Sequence, residues 1–116
     1  MIAIIDYGAG NIFSVKNALD YLGVENKLTA DKNEICAADE IILPGVGAFP
    51  WAMKMLRDSG LVDTIREEAR KKPFLGICLG MQLIFDKGYE FEETDGLRLI
   101  GGKVEKIDLS LIHISE

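Results

Sequence analysis

Residues 74–82, Phe74-Leu75-Gly76-Ile77-Cys78-Leu79-Gly80-Met81-Gln82, decide how this chain folds. Strand-forming residues lead into Gly76, and Met81 to Phe85 have helical character, so Cys78 falls at a strand-to-helix turn. The spacing G-x-C-x-G mirrors a nucleophile elbow, where small residues two positions either side let the chain bend sharply and leave the central side chain exposed. Glycine permits the strained turn. A thiol attacks as thiolate, and the partial positive charge and free N–H groups of a helix start favour that form. The N–H of Leu79 would then point at a developing oxyanion. Free cysteine is also a common small core residue, and the spacing alone leaves both readings of Cys78 open.

Upstream of the elbow, Glu40 to Leu43 read as a strand running straight into Pro44-Gly45-Val46-Gly47. A helix follows near Pro50 with Phe49, Ala52, Met53 and Leu56 as its inner face. Ser59-Gly60 interrupt it, a second helical segment covers about Leu61 to Arg70, and Pro73 opens the elbow strand. Met1 to Asp6 form a continuous apolar run ending in a carboxylate, which marks a strand buried on both faces of a parallel sheet. Asn11 suits the N-cap of a helix reaching Leu22, with Ile12, Val15, Ala18, Leu19 and Leu22 in one stripe and Gly23 closing it. Val24 to Thr29 alternate, so this strand is expected half-buried at an edge. Downstream, Gly88 is expected to end the elbow helix, and Leu97 to Ile107 read as a hairpin turning at Gly101-Gly102.

Strands alternating with helices imply an α/β fold, and right-handed crossovers restrict its topology. The expected architecture is a flavodoxin-like parallel sheet, strand order 2-1-3-4, with helices on both faces. Its site would lie beyond the carboxyl ends of the strands, where the order reverses between strands one and three. Three glycine-containing loops meet there: GAGN, PGVG and the elbow.

The 116 residues, 48% hydrophobic and 28% charged, suffice for one ordinary soluble domain. A net charge of −6 argues against nucleic acid and anionic membrane as partners, and no apolar run approaches bilayer length. The two cysteines and one histidine show no metal spacing, so neither metal nor cofactor is expected. A cytosolic protein is expected, with Cys36 a buried structural residue and no disulfide to Cys78. GAGN lacks the G-x-G-x-x-G spacing, since Phe13 stands at the third glycine, and no Gly-Lys-Ser/Thr occurs, which sets nucleotide binding aside. The PGVG glycines leave backbone N–H groups unobstructed, so Val46 or Gly47 could serve an oxyanion beside Cys78, or the loop could be only a tight turn.

PGVG after the third strand and GICLGMQ after the fourth resemble the class I (triad) glutamine amidotransferases, which use a cysteine to hydrolyse the side-chain amide of glutamine. With DYGAGN after the first strand, PGVGAF and CLGMQLIF are similar to the branch of that family forming glutaminase halves of two-part synthases in histidine biosynthesis. The likeness spans roughly residues 1–107. It implies that Cys78 is the nucleophile and that Gly45, Val46, Gly47 and Leu79 frame the oxyanion hole. It implies that Gln82 and Glu90 hold the glutamine substrate, and that a (β/α)₈-barrel cyclase subunit is the partner receiving ammonia in a heterodimer.

The family's triad also needs a histidine, oriented by a glutamate two residues on. Here the sole histidine is His113, with Glu116 three residues on. Residues 109–116, LSLIHISE, resemble a reading frame of a transposon-end adapter used in sequencing libraries; the alternative is a genuine final strand, since Leu109, Leu111 and Ile112 are strand formers. The expectation is an N-terminal part of the family domain over residues 1–108, a non-native tail over 109–116, and no turnover by this chain alone. The alternatives are another class I glutaminase or a catalytically dead docking or regulatory module.

Overall fold

A computed structural model describes residues 1–8, 12–89 and 92–104. The chain runs β1 (Ile2–Ile5), α1 (Ile12–Tyr21), β2 (Asn26–Thr29), α2 (Lys32–Ala37), β3 (Glu40–Leu43), α3 (Phe49–Asp58), α4 (Val62–Ala69), β4 (Phe74–Gly76) and α5 (Leu79–Leu83), then the short strands β5 (Lys87–Gly88), β6 (Thr94–Asp95) and β7 (Lys103–Val104). The main sheet is parallel, in the order β2-β1-β3-β4. This is the topology expected from the alternation of strand and helix, with the half-polar second strand at an edge.

The order reverses after β2, so right-handed crossovers place α1 on one face and the helices after β2 on the other. Register explains what each face buries. Ala3 stands opposite Ile41, and Ile41 opposite Phe74, on the face carrying the main core. There Ile5, Ile41 and Leu43 pack with Ile35 of α2, Leu61 and Ile65 beside and on α4, and Leu79 and Leu83 of α5. The α3 residues Phe49, Ala52, Met53 and Leu56 complete it, which is the inner face that the helical spacing predicts. On the other face Leu28, Ile4, Ile42 and Leu75 form a row across the four strands, and Leu75 is left 56% exposed.

Helix α1 departs from its reading. None of its residues is fully buried, Ile12, Val15 and Leu19 are half-buried, and Ala18 and Leu22 are exposed. Its end does follow the expectation: Gly23 has φ +74, its N–H reaches the Asp20 carbonyl, and the Val24 N–H reaches the Leu19 carbonyl. That double bond is a Schellman cap, and it needs the left-handed residue that glycine supplies. Asn11 lies outside the described residues.

Two further expectations are corrected. The elbow helix starts at Leu79 and stops at Leu83, so Gly88 does not end it but lies in β5. A Cβ on Gly88 would meet the Phe49 ring at 2.6 Å, so packing against α3 demands glycine there. The hairpin over residues 97–107 does not form among the described residues: residues 97–100 are not strand, and β7 pairs in parallel with β5, which pairs antiparallel with β6. Instead the N–H groups of Leu97, Arg98, Leu99 and Ile100 go to carbonyls of Leu83, Phe85 and Ile84 at the end of the elbow helix. Tertiary partners outweigh the local glycine pair. Helix α2 was not expected at all, although Asp31 caps it by accepting from the Asn33 N–H at 2.8 Å and Glu34 stands three residues on. Residues 105–116, including the tail and His113, lie outside the described residues.

Candidate active site

The elbow is built by backbone geometry. Cys78 sits at φ 56, ψ −123, a conformation costly for a residue with a Cβ, held between β4 and α5. Cys78 is exposed, so the core reading of this thiol falls. The two flanking glycines are sterically required. A Cβ on Gly80 would stand 1.9 Å from the Leu43 carbonyl oxygen, and one on Gly76 would stand 2.7 Å from the Met81 Cα. The elbow therefore presses directly on the end of β3, and the Ile77 N–H extends the sheet by donating to the Leu43 carbonyl at 3.0 Å.

The PGVG loop lies against the same turn. Gly45 is buried, whereas Val46 and Gly47 are exposed, and Gly47 has φ +101. A Cβ on Gly45 would meet the Tyr7 hydroxyl at 2.7 Å and the Gly80 nitrogen at 3.1 Å, so the loops after β1, β3 and β4 converge on this one residue. One expectation about the donors is revised here. The Leu79 N–H does not point freely at the space beside Cys78 but donates to the Gly45 carbonyl at 3.0 Å. The next two N–H groups, of Gly80 and Met81, are taken by the carbonyls of Ile77 and Cys78.

Gln82 is half-buried on α5, one turn beyond Cys78. The structure thus joins the PGVG loop to the elbow through Gly45 and Leu79, with Val46 and Gly47 following Gly45, Cys78 preceding Leu79 and Gln82 one turn on; Glu90 lies outside the described residues. The sequence shows Tyr7 only as part of the DYGAGN stretch and assigns it no role. Its hydroxyl donates to the Pro44 carbonyl at 2.7 Å, and burial pushes its pKa up to about 12.

Cys36 is exposed on α2, which corrects its expected place in the core. A hydrogen bond to the Glu68 carboxylate, aided by desolvation, raises this thiol's pKa above the ordinary cysteine value. The reason for the misreading is amphipathicity: Ile35 takes the single inward position on this short helix, and its neighbour is turned out. Both cysteines are free thiols. A cavity of about 240 Å³ lined by Arg70, Phe74, Ile84, Arg98 and Leu99 involves none of the elbow or PGVG residues. Among the described residues, no helix is long and apolar enough to cross a membrane.

Comparison with known proteins bears on the same stretch. Residues 3–106 match the family model for glutamine amidotransferase class-I. The chain is 54% identical over 108 residues to imidazole glycerol phosphate synthase subunit HisH of Bacillus thuringiensis (strain Al Hakam), covering 92% of this chain and 52% of that protein. It is 58% identical over 108 residues to the HisH subunit of Lacticaseibacillus casei (strain BL23), with the same shares. The chain therefore spans about half the length of the curated relatives it matches. Among solved structures, a glutamine amidotransferase superposes with a TM-score of 0.74 at 24% identity, covering 91% of this chain and 57% of that one. A putative peptidase E from Listeria monocytogenes EGD-e does so with a TM-score of 0.65 at 20% identity, covering 85% and 62%. These two share the fold, and the family match over residues 3–106 decides the affiliation. The chain belongs to the class I glutamine amidotransferase family.

Proposed function

We propose that this chain carries the nucleophile and oxyanion loop of a glutaminase that supplies ammonia to a synthase of histidine biosynthesis. The observation that carries the reading is the Cys78 backbone, strained at φ 56 and exposed between two glycines that admit no side chain. Strain of that kind persists where the surroundings enforce it. Cys78 attacks the side-chain amide carbon of glutamine, the C–N bond breaks, ammonia leaves, and water hydrolyses the γ-glutamyl thioester to glutamate. Gln82 and Glu90 are assigned to holding the substrate. The base that takes the thiol proton, and its orienting carboxylate, are assigned to the part of the relatives' length that this chain does not span, since His113 lacks the required glutamate two residues on.

Oxyanion stabilisation is assigned to Gly45, Val46, Gly47 and Leu79. The Leu79 N–H is bound to the Gly45 carbonyl, so turnover requires the Gly45–Val46 peptide to turn. Turning releases the Leu79 donor and carries the Val46 N–H towards the same point. Donors aimed where charge develops contribute on the order of 10²–10³-fold each, so the closed loop would hold the site idle.

The partner is assigned as a (β/α)₈-barrel cyclase forming a heterodimer in the cytosol, as the family resemblance implies; that the relatives at 54% and 58% identity are named as subunits of imidazole glycerol phosphate synthase supports a partner subunit. The test joins residues 1–108 to the remaining half of the Lacticaseibacillus casei relative and adds that organism's cyclase. Glutamine should then drive formation of imidazole glycerol phosphate. Glutamine hydrolysis without any synthesis would point to another class I glutaminase, and absence of both would favour a docking module.

A further inference from the structure

We infer that Tyr7 is a positioning residue for the PGVG loop, its hydroxyl fixing the Pro44–Gly45 peptide next to the one whose Gly45 carbonyl reaches the Leu79 N–H. The inference deepens the oxyanion reading above and rests on it for its chemical meaning. Tyr7 is 5% exposed and packed in the core, so its ring is held by its neighbours. From there the hydroxyl donates to the Pro44 carbonyl at 2.7 Å, across 37 residues of sequence. One residue further on, the Gly45 carbonyl accepts the Leu79 N–H at 3.0 Å. The two bonds hold adjacent peptides, one to the loop after β1 and the other to the elbow.

Neighbouring space reinforces the coupling. Glycine at position 45 is required because a Cβ would stand 2.7 Å from the Tyr7 oxygen and 3.2 Å from the Leu79 Cβ. With the Pro44–Gly45 peptide pinned, rotation is confined to the following peptide, Gly45–Val46. Gly47, at φ +101, gives the loop freedom on the far side of that peptide. Tyr7 is thus the fixed pivot of a loop whose one movable peptide decides whether the Leu79 donor is free. A buried phenol with a single partner leaves the Pro44 carbonyl without a donor if the oxygen is removed.

The test is amide hydrogen exchange on the 116-residue chain and on its Tyr7→Phe variant, which keeps the ring and removes only the hydroxyl. The Leu79 N–H should exchange about fivefold faster in the variant, the factor expected for loss of one net hydrogen bond. The N–H of Ile41, bound to the Pro73 carbonyl, and that of Asp6, bound to the Thr29 carbonyl, should keep their rates. An unchanged Leu79 rate overturns the inference. So does an equal rise at all three amides, or a variant that fails to fold, because the hydroxyl would then serve the core as a whole. The measurement needs no glutamine, so failure of the Cys78 assignment would leave the Leu79 result intact and separable.

Discussion

At the scale of single residues, the elbow is a conflict between propensity and packing that packing wins. Gly80 lies inside α5, where replacing glycine by alanine ordinarily stabilises by about 0.5–1 kcal/mol. Here the added Cβ would stand 1.9 Å from the Leu43 carbonyl, which is backbone and cannot swing aside. Gly80→Ala should therefore destabilise the chain by about 3 kcal/mol, read from denaturant unfolding. A stabilised variant would show that the elbow does not press on β3. Such positions were legible in the sequence because glycine spacing directly encodes a steric demand. Tyr7 was not legible, since its partner lies 37 residues away and nothing in the DYG stretch announces it. Its burial gives a second test. The Tyr7 hydroxyl stays protonated up to about 12 in the folded chain, against 10.0 for the ordinary group. The unfolded chain thus loses this proton first, so the stabilisation is whole below pH 10 and is lost as pH rises towards 12. Tyr7→Phe should abolish that component, on the order of 2 kcal/mol, in unfolding measured across the same range. An unchanged alkaline loss would contradict the burial of the hydroxyl.

Elements were readable in proportion to how far their own sequence decided them. Helix α3 was legible because Phe49, Ala52, Met53 and Leu56 recur at helical spacing and all four are buried. Leu56→Ala should cost about 3 kcal/mol, whereas Phe13→Ser on the open side of α1 should stay within about 0.5 kcal/mol. Comparable losses at both sites would mean that α1 is covered in solution. The stripe on α1 misled because helical periodicity shows which residues share a face, not whether a neighbour covers it. Residues 97–104 misled for the opposite reason. Their β-prone pattern suggested a local hairpin, but β7 found β5 and residues 97–100 found the end of α5. Helix α2 carried a capping signature, Asp31 with Glu34, in a stretch too short for any periodicity to emerge.

For the molecule as a whole, chain order sufficed for the sheet. An edge-like second strand and right-handed crossovers leave the observed order β2-β1-β3-β4 as the simplest arrangement. The row ending at Leu75 remains partly open to solvent in a chain spanning about half the length of its relatives. We propose that residues 109–116 are a non-native tail. Deleting Leu109 to Glu116 should leave the thermal midpoint unchanged, and a clear drop would make the tail part of the fold. The strained, exposed Cys78 is the proposed nucleophile. Its most direct test is steady-state ammonia release from glutamine by residues 1–108 joined to the remaining half of the Lacticaseibacillus casei relative. Cys78→Ser should remove turnover, a loss of at least about 10⁴-fold, while Cys36→Ser should retain it. Turnover that survives Cys78→Ser, or that is lost only in Cys36→Ser, would show that Cys78 is not the nucleophile.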